Sequence, residues 1–328
     1  MSNEDIIKQL DECEDIIKKD VGNNIFAYNF SRHVFYRDLW NELTCKARGL
    51  FINKNTNEIV ARSYDKFFYI SPDSEVTFPV KAYIKENGFL GILSWDRENN
   101  KPFIATKSSI SGKHAEIFEK RLKEAVKDRE YKTEDILNFT DLCNYIKENN
   151  VSIIFEVIDI ANDPHIISYK SSGIILLDVI YNDFKYKKYS DEELTKFSKK
   201  FSLPAKYLHK VLHNEKEFNE FLDSVSSPGY RNELEGFVLE DNVGRMYKIK
   251  TPFYNLWKRI RTLKEKIVNK TPLKTSDIKS PEELQILKFM QTIPMKILEN
   301  MSIPIIRDRY FFEQRRMEHP RYSDNSVD

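Results

Sequence analysis

The spacing of apolar residues along the chain indicates many short strands with helices inserted between them. Between residues 47 and 250, β-branched or aromatic runs alternate with turns, as short strands do. The runs are GLFIN, KFFYI, AYI, GFLGILSW, SIIFEVI, GIILLDVI, EGFVLE and RMYKIK. Because strands and helices do not alternate regularly, the pattern predicts an α+β domain of largely antiparallel sheets with inserted helices.

Other segments have helical spacing. Residues 4 to 18 carry apolar side chains at three- and four-residue steps, which predicts an amphipathic N-terminal helix. SGKHAEIFEKRLKEAV predicts a second helix with Ser111 as its N-cap. Residues 190 to 224 predict charged amphipathic helices separated at Pro204. The buried face of the second helix is expected to carry Ala115, Phe118, Leu122 and Val126.

After residue 250 the pattern becomes helical and more basic. Residues 254 to 269 predict one basic helix, and PEELQILKFMQTIPMKILENM predicts another that breaks at Pro294. HPRYSDNSVD is expected to be a loose tail. We therefore divide the chain into a domain of residues 1–254 and a small all-α domain of residues 255–328.

Composition places the protein in a broad class. Hydrophobic residues at 41%, charged residues at 31% and a net charge of +1 favour a globular chain over a disordered one. The cysteines Cys13, Cys45 and Cys143 form no Cys-x-x-Cys pair, so neither a disulfide framework nor a zinc site is indicated. With an acidic amino terminus and no apolar run of ~20 residues, we expect a soluble, intracellular protein without membrane contact.

Charge is balanced over the whole chain but not along it. Between Arg245 and Lys274 there are ten basic residues and one acidic residue, Glu265. Such a local excess is typical of a surface that binds a polyanion. A solvent-exposed helix face is the alternative explanation.

Charged residues are also embedded in or beside several of the apolar strands. A charge on a buried face is costly unless it meets a ligand, a metal ion or an opposite charge. Lys248 and Lys250 are two residues apart, so both side chains project from the same face of one strand. The full set is Arg48, Lys66, Glu156, Glu235, Lys248 and Lys250.

Lys85 stands in a Lys-Glu-Asn-Gly turn between two strand-like runs. Lys-x-x-Gly alone indicates only a turn, since it also occurs at Lys19, Lys46 and Lys170. Combined with four cations and two carboxylates, it favours a site for a nucleoside triphosphate and a divalent cation. Gly88 would let the backbone approach the phosphates. A nucleophilic Lys85 must lose its proton, and we expect neighbouring cations, a metal ion or a dry pocket to lower its pKa from ~10.4.

Eight short motifs follow one another along this part of the chain. They are ARG at 47–49, KFF at 66–68, KENG at 85–88, TKS at 106–108, FE at 155–156, GIILLDV at 173–179, EGFV at 235–238 and KIK at 248–250. In this order they resemble the covalent nucleotidyltransferases, and more narrowly the phage-type RNA ligases and the ligase module of fungal tRNA ligases. The resemblance spans roughly residues 47 to 254. Asn87 points to this branch, because DNA ligases and capping enzymes more often have Asp there.

The resemblance implies roles for the matching residues. Lys85 is the expected nucleophile towards the α-phosphate of ATP. Glu156 and Glu235 are expected to bind ribose or a hydrated Mg²⁺ or Mn²⁺ ion, and Lys248 with Lys250 the α-phosphate region.

Arg48 and Lys66 are expected to contact the outer phosphates of ATP, and Phe68 to shape the nucleotide site. The other residues expected at the ATP site are Gly88, Lys107, Gly236 and Tyr254. In the C-terminal domain, the expected RNA contacts are Lys258, Arg259, Arg261 and Lys264.

The implied activity is ATP-dependent RNA ligation. Lys85 takes AMP, passes it to a 5′-phosphate RNA end, and a 3′-hydroxyl end then attacks with release of AMP. Nicked tRNA is the expected substrate. No P-loop kinase motif is present in the sequence, so another protein is expected to supply the end-healing kinase and phosphatase. A capping-type guanylyltransferase, a DNA ligase and a non-catalytic RNA-binding protein remain alternatives.

Overall fold

A computed structural model describes residues 2–126, 138–162, 165–230 and 232–318. Within these ranges the strands are β1 (Ile16–Gly22), β2 (Ile25–Phe30), β3 (Leu50–Asn53), β4 (Glu58–Ala61), β5 (Phe68–Tyr69), β6 (Val80–Lys85), β7 (Phe89–Asp96), β8 (Lys101–Thr106), β9 (Val151–Ile158), β10 (Gly173–Tyr181), β11 (Leu208–Leu212), β12 (Gly236–Glu240) and β13 (Met246–Lys250). The helices are α1 (Asn3–Glu12), α2 (Arg32–Arg37), α3 (Glu42–Lys46), α4 (Lys113–Ala125), α5 (Phe139–Asn149), α6 (Asp191–Phe201), α7 (Glu215–Ser226), α8 (Pro252–Val268), α9 (Pro281–Thr292), α10 (Met295–Leu298) and α11 (Ile303–Glu318).

The strands form three sheets. Their orders are β1-β2-β3-β4, then β10-β9-β7-β8, then β11-β6-β12-β13-β5. Among the described strands, β13 and β5 form the one parallel pair, and the other paired strands are antiparallel. The predicted α+β fold with largely antiparallel sheets and inserted helices is therefore confirmed.

The second sheet is buried on both faces. On one face it packs against α4, α5 and α6, where the predicted helix face of Phe118 and Leu122 is fully buried. On the other face Ile92 and Ile154 pack against the first sheet. Strands β7 and β9 are therefore apolar on both sides, and a charged residue within them occupies a costly position.

The C-terminal helices share one core with a loop of the preceding domain. Trp257 of α8 and Met290 of α9 are buried there, together with Ile166 and Ile167 from the segment between β9 and β10. Helix α8 begins at Pro252, with the Oγ of Thr251 accepting the amide of Tyr254 as its N-cap. The division after Tyr254 thus falls inside a helix and stays a prediction.

Several local predictions were wrong or incomplete. The helix expected over residues 4–18 ends at Glu12, because Ile16 and Ile17 pair with β2 as part of a strand. Gly112, not Ser111, is the N-cap of α4. Between the two predicted helices of residues 190–224 lies strand β11, which pairs with β6.

The C-terminal pattern was predicted better. The helix over residues 281–301 does break at Pro294, which separates α9 from α10. Helices α5 and α11 were not predicted, and HPRYSDNSVD lies outside the described residues. No helix in the described ranges is both long enough and apolar enough to cross a membrane.

Candidate active site

Strand register brings Lys85 next to the EGFV and KIK motifs. Gly236 of β12 pairs with Lys85 of β6 on one side and with Lys250 of β13 on the other. Glu235, one residue earlier, places its Oε1 at 2.9 Å from the Nζ of Lys85 and 3.1 Å from the Nζ of Lys250. A Cβ at Gly236 would lie 2.0 Å from the carbonyl oxygen of Ile249, so a larger residue would push these strands apart.

The turn after Lys85 is held by the other glutamate. The amide of Gly88 donates to Oε1 of Glu156 at 2.7 Å. A Cβ at Gly88 would lie 2.2 Å from the carbonyl oxygen of Val157, so glycine is required for close approach to β9. The structure thus gives Gly88 a packing reason in addition to the expected approach of a phosphate.

Lys85 and Glu156 border a cavity of about 360 Å³ between the second and third sheets. Its polar wall also contains Arg48 and Lys107. Its apolar wall contains Tyr64, Phe67, Leu90, Leu177, Val238 and Met246. A cavity that joins an apolar slot to a cationic wall suits a nucleoside triphosphate, since a base needs the first and phosphates need the second.

The charge state of Lys85 differs from the expectation. Burial by itself lowers the pKa of Lys85, but the charges of Glu156 and Glu235 outweigh burial and raise it above its ordinary value. Burial raises the pKa of Glu156, and the nearby Glu235 raises it further. Before nucleotide arrives, Lys85 is therefore an ammonium held by carboxylates and not an amine activated by cations.

The cations gather around Lys107 and Lys248. Burial, followed by the charges of Arg48 and Lys66, lowers the pKa of Lys107 to about 8. Burial, followed by the charges of Lys66 and Lys250, lowers the pKa of Lys248 to about 8. Within the described part of the chain, neither lysine forms an ion pair with a carboxylate. Crowded cations without counter-charges are a ready site for polyphosphate.

Lys66 and Phe68 lie outside the cavity lining. The Nζ of Lys66 sits over two rings, 4.4 Å from the centroid of Trp40 and 3.8 Å from that of Phe68. Phe67, the neighbour of Phe68, borders the cavity instead. The sequence-based prediction named Phe68 for the nucleotide site, whereas the structure places Phe67 at the cavity, because neighbouring side chains of an extended segment point in opposite directions.

Tyr254 is buried in the first turn of α8, and its ring lies 4.3 Å from the Nζ of Lys250. Through this contact the first C-terminal helix touches the KIK motif. The structure therefore brings Tyr254 next to the predicted site residues, at the ammonium end of Lys250.

The sequence-based list of site residues missed Asn87 and Tyr169. The Nδ2 of Asn87 donates to Oε2 of Glu235 at 2.9 Å. The hydroxyl of Tyr169 accepts the amide of Asn87 at 2.6 Å and donates to Oε2 of Glu86 at 3.0 Å. In the sequence, Asn87 indicates only the branch of the family. No feature of the sequence around Tyr169 predicts its hydrogen bond with the Asn87 amide.

The basic run of α8 is not one continuous binding face. Arg259 pairs with the fully buried Glu283, and the Nζ of Lys264 donates to the carbonyl oxygens of residues 299 and 301 at 3.1 and 2.6 Å. Lys258 is among the exposed residues of α8, and partial burial, followed by the charges of Lys250 and Arg261, lowers its pKa. Of the four expected RNA contacts, Arg259 and Lys264 make contacts within the helical core, and Lys258 and Arg261 stay candidates for RNA binding.

The sequence is similar to that of a fungal tRNA ligase. A tRNA ligase of Candida albicans is 25% identical over 354 residues, an alignment that covers 89% of this chain and 42% of that protein. The chain therefore spans less than half the length of this relative.

Solved structures resemble the fold. An archaeal ATP-dependent RNA ligase superposes with a TM-score of 0.56 at 14% identity, covering 84% of this chain and 72% of that one. A putative ATP-dependent DNA ligase from Aquifex aeolicus superposes with a TM-score of 0.53 at 16% identity, covering 97% of this chain and 81% of that one. At these identities the likeness concerns the fold.

The decisive comparison is with a family model. The model described as RNA ligase matches residues 46–254, which is more than half of the chain and contains Lys85, both glutamates and the KIK lysines. This chain belongs to the RNA ligase family.

Proposed function

We propose that the protein is an ATP-dependent RNA ligase that works through a covalent Lys85–AMP intermediate. The observation that carries the proposal is the position of the Lys85 Nζ. It borders the cavity, 2.9 Å from Glu235 and among residues of the matched family region.

In the first step, Nζ of neutral Lys85 forms a bond to the α-phosphorus of ATP, and the bond to the bridging oxygen breaks with release of pyrophosphate. Arg48 and Lys107 in the polar wall, with Lys248 and Lys66 close by, oppose the charge of the outer phosphates. The AMP then passes to the 5′-phosphate of RNA. A 3′-hydroxyl displaces it, which forms the phosphodiester bond.

The carboxylates fit a divalent cation. Glu156 borders the cavity with one oxygen on the Gly88 amide, and its mutual repulsion with Glu235 would be relieved by a cation. No cluster of three or more acidic, His or Cys ligands occurs among the described residues. A Mg²⁺ or Mn²⁺ ion at Glu156 and Glu235 would be held by one or two carboxylates, phosphates and water. Such an ion would neutralise phosphate charge and weaken the hold of the carboxylates on the Lys85 proton.

The test is adduct formation. The purified protein is incubated with ATP labelled at the α-phosphate and a divalent cation, and acid-stable label on the protein is measured. We expect label on the wild type and none on Lys85→Ala. Lys46→Ala is the matched control, because Lys46 begins another Lys-x-x-Gly sequence, and this variant should still take label. A folded wild-type protein that takes no label from any nucleotide would overturn the proposal in favour of a binding protein.

The nucleotide and the polymer are tested separately. Competition among ATP, GTP and NAD for the adduct distinguishes a ligase from a capping-type guanylyltransferase. Joining of RNA and DNA nicks then distinguishes an RNA ligase from a DNA ligase. RNA with 5′-phosphate and 3′-hydroxyl ends, including anticodon-loop nicks in tRNA, is the expected substrate. RNA with 5′-hydroxyl ends should be joined only after a separate kinase is added.

A further inference from the structure

A second concavity borders strand β13 of the third sheet. It is a groove of about 630 Å³ between helix α7 and the segment of chain from Tyr69 to Phe78. Phe218 and Leu222 of α7 give it one apolar wall, and Lys248 of β13 borders it on the side of the catalytic residues. None of the roles assigned above uses this groove.

Tyr69 and Lys248 lie side by side in the lining of this groove. Their Cα atoms are partners in the parallel pair of β5 and β13, and the Nζ of Lys248 lies 4.8 Å from the centre of the Tyr69 ring. Tyr69 is 54% exposed. The groove therefore begins with an accessible aromatic face next to a cation that has no carboxylate partner among the described residues.

The same tyrosine is close to the nucleophile. Burial raises the pKa of the Tyr69 hydroxyl, the charge of Glu235 raises it further, and the charge of Lys85 lowers it. Lys248 in the groove lining stands two residues before Lys250 on β13, and Lys250 shares Glu235 with Lys85, so the groove borders the strand that holds the expected catalytic residues. Glu215 borders the groove at the first turn of α7, so the end near Lys248 is the favourable one for a phosphate.

Resting on the proposed ligase activity, we propose that the groove binds the single-stranded RNA nucleotide next to the reacting 5′-phosphate. Its base stacks on Tyr69, and its phosphate lies near Lys248. An aromatic face beside a lysine is the combination by which proteins hold single-stranded nucleic acid without reading its sequence. The proposal predicts that Tyr69 serves the RNA steps and not the reaction with ATP.

The experiment separates these steps. Protein is first adenylylated with labelled ATP and freed of nucleotide, and transfer of AMP to a 5′-phosphorylated single-stranded RNA is then followed. Tyr69→Ala should slow this transfer about 5- to 100-fold, as expected for the loss of one base stack, while its rate of adenylylation stays at the wild-type value. Tyr69→Phe, which keeps the ring, should transfer AMP nearly as fast as the wild type.

Tyr207→Ala is the matched control, because Tyr207 is 63% exposed and does not border the groove. The proposal is overturned if Tyr69→Ala transfers AMP to RNA at the wild-type rate, or if it loses adenylylation and transfer equally. It is also overturned if the Tyr207 control shows the same loss. A wild-type protein that forms no adduct would instead refute the proposed function.

A different set of contacts connects the C-terminal helices to the nucleophile. Arg307 of α11 is 1% exposed, and its guanidinium donates to the carbonyl oxygen of Ile166 at 3.0 Å and to the Oγ of Ser168 at 2.6 Å. The amides of Ile166 and Ile167 donate to Oδ1 of Asn87 at 3.0 and 3.3 Å. Asn87 in turn binds Glu235, the partner of Lys85.

We infer that Arg307 is a positioning residue for the reaction with ATP. It fixes the loop of residues 165–169, the loop fixes Asn87, and Asn87 orients Glu235 against Lys85. The inference rests on the proposed function. It implies that residues acting along one chain of contacts affect the rate non-additively.

A double-mutant cycle measures this coupling through single-turnover adenylylation at saturating ATP. Arg307→Met and Asn87→Ala should each slow the reaction severalfold, and the double mutant should be about as slow as the slower single mutant. Tyr169→Phe, a milder change at the same loop, should also be slower, with Tyr310→Phe in the same helical core as control. The inference is overturned if the rate loss of the double mutant equals the product of the two single-mutant losses. It is also overturned if Tyr169→Phe reacts as fast as the wild type.

Discussion

Two buried carboxylates hold basic side chains in different surroundings. Glu235 is 4% exposed and shares one oxygen between Lys85 and Lys250 beside the cavity. Glu283 is fully buried and pairs with Arg259 between α8 and α9. The first pair lies beside the cavity, whereas in the second the carboxylate is buried in the helical core and only the arginine reaches solvent. We therefore propose that the same kind of ion pair serves reactivity in one region and stability in the other.

The largest effect is expected at the cavity. Glu235→Gln removes the charge that holds Lys85 and Lys250, so we expect adenylylation at its optimal pH to fall about 100-fold or more. Because Glu235 raises the pKa of Lys85, the pH at which adenylylation reaches half its maximum should also move down. Single-turnover rates from pH 6 to 10 check both. A wild-type rate in this variant would remove Glu235 from the active site.

A change at the carboxylate of the helical core should lower stability and leave adenylylation nearly unchanged. Glu283→Gln breaks a buried ion pair, and with Arg259 partly exposed we expect a loss of about 1–3 kcal/mol in the free energy of unfolding. Adenylylation should stay within about twofold of the wild type. Chemical denaturation and the adduct assay measure the two quantities. If this variant lost activity without losing stability, the contrast between the two carboxylates would be wrong.

A smaller effect is expected of pH on the binding of pyrophosphate. Lys107 and Lys248 lose their protons around a pKa of about 8, below the ordinary value of a lysine. Binding of pyrophosphate without metal should therefore weaken from pH 7 to pH 9, by about tenfold, as two positive charges are lost. Calorimetric titration measures the affinity, and the double variant Lys107→Met/Lys248→Met should lose less affinity than the wild type between pH 7 and pH 9.

The same two lysines should make the free energy of unfolding rise with pH, whereas pyrophosphate affinity falls. Their folded-state pKa lies below the unfolded value of 10.5, so their charged forms destabilise the folded protein. The cost is fully present below pH 8 and is relieved as the pH rises from about 8 to about 10.5. In the absence of nucleotide, their contribution to the unfolding free energy should therefore increase over that interval.

The smallest effect is expected on the surface of α8. Lys258 is exposed towards Lys250, whereas Lys264 is tied to backbone carbonyls. Lys258→Ala should weaken RNA binding about two- to fivefold. It should also reduce, by about 1, the slope of the logarithm of the RNA-binding constant against the logarithm of the salt concentration. Lys264→Ala should lower thermal stability instead and leave the slope unchanged. Filter binding at two salt concentrations distinguishes them, and equal slopes in both variants would contradict this view of α8.

Short-range patterns in the sequence determined much of the fold. Alternating apolar runs located most strands of the second and third sheets, because a strand buried on one or two faces needs apolar side chains at set intervals. They failed at residues 4–18, where the apolar spacing suits a helix throughout but pairing with β2 makes Ile16 the start of a strand. They also failed at β11, whose partner β6 lies far away in sequence.

The order of charged motifs identified the family and its candidate residues, but the tertiary structure decided their electrostatics. Lys85 and Lys248 are both motif lysines, yet carboxylates raise the pKa of one while cations lower that of the other. Arg259 and Lys258 are adjacent, yet only Arg259 meets a buried carboxylate. Which partner a charge meets depends on strand register and helix packing between distant segments, and composition or spacing along the chain does not contain that information.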